Sequence, residues 1–308
     1  MDTLSELLDA HPARGDLDVR CQWSGRWSVP HVAEAPGTVR FHVVMHGVAY
    51  LRVAGEAPRG LATGDIVVLP SGDAHILAGG PDEWNAPRPN ASLRTHPLLK
   101  WQAGDEAEPA LDMFCGRIDF GGGAATLLAS LPRVLHVPGD ASLPLASLAP
   151  LIELMRREVN DAAPGARSVV GQLSSALFVM ALRHWWSRND ELHGVLGLLR
   201  EPRLRPACTA MLLRLHEPLT VETLAGACHM SRSSFLRLFE RATQATPAHM
   251  LTQLRMDTAA VRLRRGSDGI AQVAETVGFQ SESAFIRAFE RHKGMSPAVY
   301  RKQRDQVH

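Results

Sequence analysis

The sequence predicts an α+β chain of more than one domain: a β-barrel, then a helical hairpin, then an all-α region. Three observations carry this. Between residues 17 and 80, short β-branched and apolar runs alternate with Gly and Pro turns. From residue 148 the apolar period becomes helical, and residues 207–304 are helical in pattern and repeat themselves. The expected domains are 1–140, 141–202 and 203–308.

The strands follow in order. Thr38–His46 (TVRFHVVMH) is β-branched and apolar, and Gly47 breaks it. Ala49–Ala54 alternates before the turn Gly55-Glu56-Ala57-Pro58. Gly64–Pro70 (GDIVVLP) is the next strand, and Ser71-Gly72-Asp73 turns the chain. Residues 79–110, dense in prolines and polar breakers, read as a long loop. Leu111–Asp119 returns to strand character, and Gly121-Gly122-Gly123 closes it. Short strands with regular Gly and Pro punctuation favour a compact barrel or sandwich.

Leu148, Leu151, Ile152 and Met155 then share one face of a helix ending near Asn160. After the turn Ala162-Ala163-Pro164-Gly165, a second helix carries Val170, Leu173, Leu177, Phe178, Ala181 and Trp185. The two form an antiparallel hairpin whose apolar stripe, including Leu151, Leu173 and Leu177, either packs on its own barrel or joins two copies. Residues 187–206 read as a hinge.

Composition narrows the function. The 308 residues are 45% hydrophobic and 21% charged, which excludes wholesale disorder. No apolar run reaches eighteen residues, and the start Met1-Asp2-Thr3-Leu4-Ser5-Glu6 lacks the basic head of a signal peptide, so the expected place is the cytosol, away from membranes. Cys21, Cys115, Cys208 and Cys228 are scattered, with no CxxC pair to suggest a zinc ribbon or a disulfide framework. The net charge of +1 hides an asymmetry: residues 203–308 carry +7, residues 1–202 carry −6. A basic module on an acidic body suggests a polyanion partner. A nucleoid-type packaging protein would be basic throughout, which this chain is not.

The repeat lies in the basic part. Ser231-Arg232-Ser233-Ser234-Phe235-Leu236-Arg237-Leu238-Phe239-Glu240-Arg241 returns fifty residues later as Ser281-Glu282-Ser283-Ala284-Phe285-Ile286-Arg287-Ala288-Phe289-Glu290-Arg291. Each unit reads as helix, tight turn, helix. Ala225 and Ala274 permit close helix crossing, and Ser231 and Ser281 cap the second helix. The Phe pairs, four apart, face a core, which turns Arg237 and Arg287 outward. This is the geometry of a helix-turn-helix whose second helix enters the major groove. The expected DNA-facing set is Arg232, Ser233, Leu236 and Arg237 on the first unit, and Glu282, Ser283, Ile286 and Arg287 on the second. Arg291 and Lys293 should hold phosphates. Ala284 and Ile286 suit thymine methyls or shape readout.

Two such units in about 100 residues resemble the AraC/XylS family of transcription regulators. The second is the more specific, from Ile270-Ala271 through Val277-Gly278-Phe279 to Ser296-Pro297 and Tyr300-Arg301. The resemblance implies two recognition helices reading successive major-groove segments of promoter DNA, and contact with RNA polymerase as an activator.

In the N-terminal part, Gly64-Asp65-x4-Pro70-x-Gly72-x2-His75 matches the second short motif of the cupin fold. The first is degraded: His42 and His46 are four apart and no Glu follows in place. Positions four apart on a strand share a face, so His42, His46 and His75 are the candidate effector pocket. Whether they bind a metal is left open, and the candidate effector is a small molecule or a metal ion. With the first motif degraded, catalysis by the barrel is not expected. The whole arrangement resembles cupin-bearing AraC-type regulators, which implies effector sensing by the barrel, self-association through the barrel or hairpin, and promoter binding by the C-terminal part. Alternatives are a metal-dependent cupin enzyme with a DNA-binding appendage, or a thiol-based oxidant sensor. In the latter, Arg20 and Arg26 would favour the Cys21 thiolate, with Cys115 as resolving partner.

Overall fold

A computed structural model of the chain describes residues 3–106, 108–139 and 148–302. The described chain forms two compact units. One, residues 14–119 and 132–189, holds the strands and the hairpin. The other, residues 3–13, 120–131 and 190–302 among those described, is helical. The boundary expected after residue 140 lies outside the described residues. The division is less linear than the sequence suggests, because Phe120–Leu131 leaves the strands and joins the helices.

The first unit is built around β3 (Thr38–Val53). Its first half pairs antiparallel with β5 (Ile66–Leu69) and β9 (Leu111–Asp119), its second half with β4 (Arg59–Ala62) and β6 (His75–Ala78). β1 (Arg14–Trp23) lies outside β9, and β2 (Ser28–His31) pairs with β6. β10 (Leu135–Val137) closes on β5. Gly47 does not end the strand as expected. It takes φ +89° beside a register shift between Val44 and His46, and a Cβ there would lie 1.9 Å from the Ala110 carbonyl oxygen. The chain therefore bulges and continues. The loop expected over 79–110 contains β7 (Ser92–Arg94) and β8 (Lys100–Ala103), β8 running parallel to β1.

The hairpin forms as expected, as α3 (Leu148–Asp161) and α4 (Ala166–Arg188). α4 packs on β1, where the Gly15 amide donates to the Ser175 hydroxyl at 2.9 Å. Leu177 is buried in that packing and does not belong to an outer stripe. Leu154 (44% exposed) and Val169 (39% exposed) lie outside, with Leu151 and Leu173 half-buried. Arg20 ties α3 to the strands: its guanidinium grips Asp112 through two hydrogen bonds, 3.0 and 2.6 Å, and donates to Asn160 Oδ1 at 2.9 Å.

The helical unit opens with α1 (Thr3–Ala10), packed on α6 (Arg205–Leu213). Its next piece is α2 (Ala125–Leu128). The expected hinge contains α5 (Gly194–Arg200), whose Val195, Leu196 and Leu198 are fully buried; an apolar run of this density serves a core. The tandem repeat follows as α7 (Val221–Ala227) with α8 (Arg232–Thr243), and α10 (Ile270–Thr276) with α11 (Glu282–Lys293). α9 (Pro247–Arg265) joins them and α12 (Pro297–Lys302) ends the described chain.

Arg20→Met should destabilise the strand unit by about 3 kcal/mol, because Asp112 then keeps a charge without its partner in a largely dry site. Arg20→Met combined with Asp112→Leu should recover part of this. Urea unfolding of the four members of the cycle checks it; strictly additive losses would refute the pairing.

Candidate functional site

The two repeat units are alike in side-chain detail. Ser231 accepts from the Ser234 amide and Ser281 from the Ala284 amide, each at 3.3 Å. Phe235/Phe239 and Phe285/Phe289 are fully buried, with ring centroids 5.6 Å apart in both pairs. His229 (φ +53°) occupies the turn position that Gly278 (φ +81°) holds in the second unit. Fixing the phenylalanines inward leaves Arg232, Ser233 and Arg237 exposed on α8, and Glu282, Ser283, Arg287 and Arg291 exposed on α11. Leu236 and Ile286 are half-buried beside them. Arg232 is engaged, its Nε 3.1 Å from Glu222.

Lys293 does not extend this surface. Its ammonium lies 2.8 Å from Asp257 Oδ1 and donates to the Gly122 carbonyl at 3.0 Å, with the lysine side chain 11% and the aspartate 3% exposed. Such a lysine holds helices together and is not free for a phosphate. The sequence could not anticipate this, because Asp257 and Gly122 are far away in the chain.

The strand unit contains a cavity of about 580 Å³, lined by His31, Cys21 and Cys115 and, among its charged residues, by Asp18, Arg40 and Arg117. Arg40 pairs with Asp18 at 2.8 Å and with Glu34, and Arg117 approaches Asp18 at 3.4 Å. Burial pushes the Asp18 carboxyl up, against those two arginines. His42 and His75 are not on the cavity wall. They lie behind it, and His75 stacks on His31 with centroids 4.5 Å apart. His46 is exposed and does not converge with them, because the bulge between Val44 and His46 breaks the alternation that puts residues four apart on one face.

The buried groups form a chain. Burial lowers the affinity of His42 and His75 for protons, and burial next to His75 brings His31 down to about 3. The rings are therefore neutral, and their partners fix the tautomers. His75 Nδ1–H donates to the Asp73 carbonyl at 2.8 Å, leaving Nε2 to accept from His42 Nε2–H at 2.9 Å. His42 Nδ1 then accepts from the Cys115 thiol at 3.0 Å. One neutral imidazole thus holds a thiol proton at the cavity floor. Cys21 is not the thiolate expected: Arg20 is spent on Asp112, Arg26 lies exposed against Glu83, and burial, then the bond to Cys115, pushes the Cys21 thiol well up.

A resident cupin metal does not fit these residues. His46 points away, the motif glutamate is absent, and no group of three His, Cys, Asp or Glu among the described residues is arranged to hold an ion. Sequence reasoning missed His31. Its signal was weak, because β2 is four residues long and includes Pro30.

The three depressed imidazoles have a stability consequence. Below the ordinary imidazole value the unfolded chain binds protons that the folded chain refuses, so stability falls as pH drops from about 6.5 toward 3. Thermal unfolding at pH 7 and pH 5 should show the loss, and His31→Phe should make it smaller. An unchanged pH slope in that variant would contradict the assignment.

Comparison with known proteins accords with both units. Residues 2–187 match a family model described as Cupin, and residues 224–303 one described as Helix-turn-helix domain. The "RCS-specific HTH-type transcriptional activator RclR" of Escherichia coli K12 is 31% identical over 304 residues, 98% of each chain. The "HTH-type transcriptional regulator MtrA" of Neisseria gonorrhoeae is 30% identical over 307 residues, 98% of this chain and 99% of that one. Among solved structures, the DNA-binding domain of AdpA in complex with a target DNA is 34% identical, covering 34% of this chain and 96% of that one, at a TM-score of 0.33. With a Cupin model over more than half of its length and full-length relatives at this identity, the chain belongs to the AraC-type helix-turn-helix transcription regulators that carry an N-terminal cupin domain.

Proposed function

We propose that the chain is a cytoplasmic transcription activator and not an enzyme, that it binds promoter DNA as a homodimer and contacts RNA polymerase, and that its effector acts at the cavity of the strand unit. The observation that carries the effector reading is the Cys115–His42–His75 chain at the cavity floor. A thiol hydrogen-bonded to a neutral imidazole beside a second thiol is the group there whose chemistry a signal can change. A two-electron oxidant such as a hypohalous acid converts the Cys115 thiol to a sulfenic acid and is reduced to the halide. Condensation with the Cys21 thiol then forms the disulfide and releases water. The Escherichia coli relative is named as specific for RCS, which supports this reading. A second reading rests on the cavity itself, of about 580 Å³: its wall holds Arg40, Lys100, Arg117 and Arg167 against Asp16 and Asp18, an excess of positive charge that suits a small anionic ligand.

No helix among the described residues is long and apolar enough to cross a membrane, which agrees with a cytoplasmic site of action. The candidate dimer surface is the outer face of α3 and α4, with Leu151, Leu154, Val169 and Leu173.

A promoter reporter separates the effector readings. Cys115→Ser should abolish induction by hypochlorite and leave basal expression intact. Normal induction in that variant would remove the thiol reading and leave the ligand. For the DNA surface, Arg237→Ala and Arg287→Ala should each relax base preference at one position, at a cost of about 1–3 kcal/mol, in binding-site selection. Uniform weakening on all sequences, with the preferred site unchanged, would make them phosphate contacts.

A further inference from the structure

The triple glycine after β9 has a role beyond ending a strand. Gly122 and Gly123 are buried in the helical unit, against α12 and α9. A Cβ on Gly122 (φ +75°) would lie 1.9 Å from the Tyr300 hydroxyl, and one on Gly123 would lie 2.1 Å from Val261 Cγ2. Only a chain without side chains approaches this closely. The approach is then fixed by polar contacts. Tyr300 donates its hydroxyl to the Gly121 carbonyl at 3.1 Å, and Lys293 of α11 donates to that of Gly122. Asp257 of α9 accepts from the Thr126 amide at 2.8 Å, at the start of α2, while its other oxygen holds Lys293.

The same segment reaches the first repeat unit. Ser130 accepts from the Val195 amide at 3.0 Å, capping α5, and α2 packs on α5. α5 packs in turn on α8. Residues 120–131 therefore touch α9, α11 and α12 on one side and the support of α8 on the other. The two recognition helices are joined covalently by α9 and, a second time, through this segment. The segment continues directly from β9, five residues beyond the cavity thiol Cys115.

We propose that residues 120–131 are a brace that fixes the distance and angle between α8 and α11, and that the strand unit alters DNA binding by pulling on it through β9. With the brace seated, the two helices meet successive major-groove segments in one register. With it unseated, α9 alone joins the two helices, their register loosens, and the spacing of the half-sites matters less. The brace touches neither the DNA-facing side chains nor the cavity, so its variants isolate spacing from base readout and from sensing.

The test uses the full chain and duplexes recovered by selection with the wild-type protein, then altered by one or two base pairs between the half-sites. Fluorescence anisotropy gives the affinities. Wild type should lose at least about tenfold on the altered spacings. Gly123→Ala should bind the native spacing about tenfold more weakly and discriminate between spacings by less than about threefold, with an unchanged circular dichroism spectrum. Val261→Ala added to Gly123→Ala removes the clashing methyl and should restore discrimination. Should Gly123→Ala not fold, Tyr300→Phe deletes only the hydroxyl contact and should weaken discrimination in the same direction. Folded Gly123→Ala or Tyr300→Phe with the wild-type spacing ratio, or a double variant that stays as tolerant as Gly123→Ala, overturns the brace.

Discussion

One strand holds the strand unit together. β3 exchanges hydrogen bonds with β4, β5, β6 and β9, so every part of the strand unit takes its register from it. A strand of sixteen residues can serve two sets of neighbours only if it bends, and the bulge beside Gly47 is where it does. That bend also decides the chemistry. Before it, His42 points inward to full burial; after it, His46 points to solvent. The cavity floor follows from the same register, because His42 lies opposite Cys115 on β9 and His31 lies opposite His75.

Much of this was legible in the sequence. The repeat and its outward arginines follow from helical period alone, since two phenylalanines four apart leave few faces for the arginine between them. The charge asymmetry identified the nucleic-acid end without any structure. What could not be read was non-local. The convergence of His42 and His46 rested on strand alternation, and one extra residue at a bulge reverses it. Lys293 looked like a phosphate contact because it ends a basic helix, and its partner Asp257 lies 36 residues earlier. The Cys21 thiolate rested on two neighbouring arginines, and neighbours in sequence say nothing about which carboxylates hold them.

The two halves rely on different electrostatic designs. The recognition helices keep their arginines in water, where charge acts at a distance and yields to salt. The cavity floor keeps its imidazoles neutral and dry, where hydrogen-bond direction carries the information and a single proton transfer is costly. Arg20 lies between these extremes, buried but matched by two carboxylate oxygens and an amide oxygen, and so serves as a fastener for α3.

The helical unit is assembled from three separate stretches of chain, the middle one falling in sequence between β9 and β10 of the other unit. On a ribosome, Phe120, Leu127 and Leu128 therefore emerge long before the helices that cover them are made. β9 can pair with β1 and β3, and β10 with β5, while that apolar loop waits uncovered, and the repeat cannot complete its core until α11 and α12 have left the exit tunnel. The order of synthesis thus completes the DNA-binding surface later than the strands it is joined to, and a chain broken off before α9 exposes an apolar loop that α9 would otherwise cover.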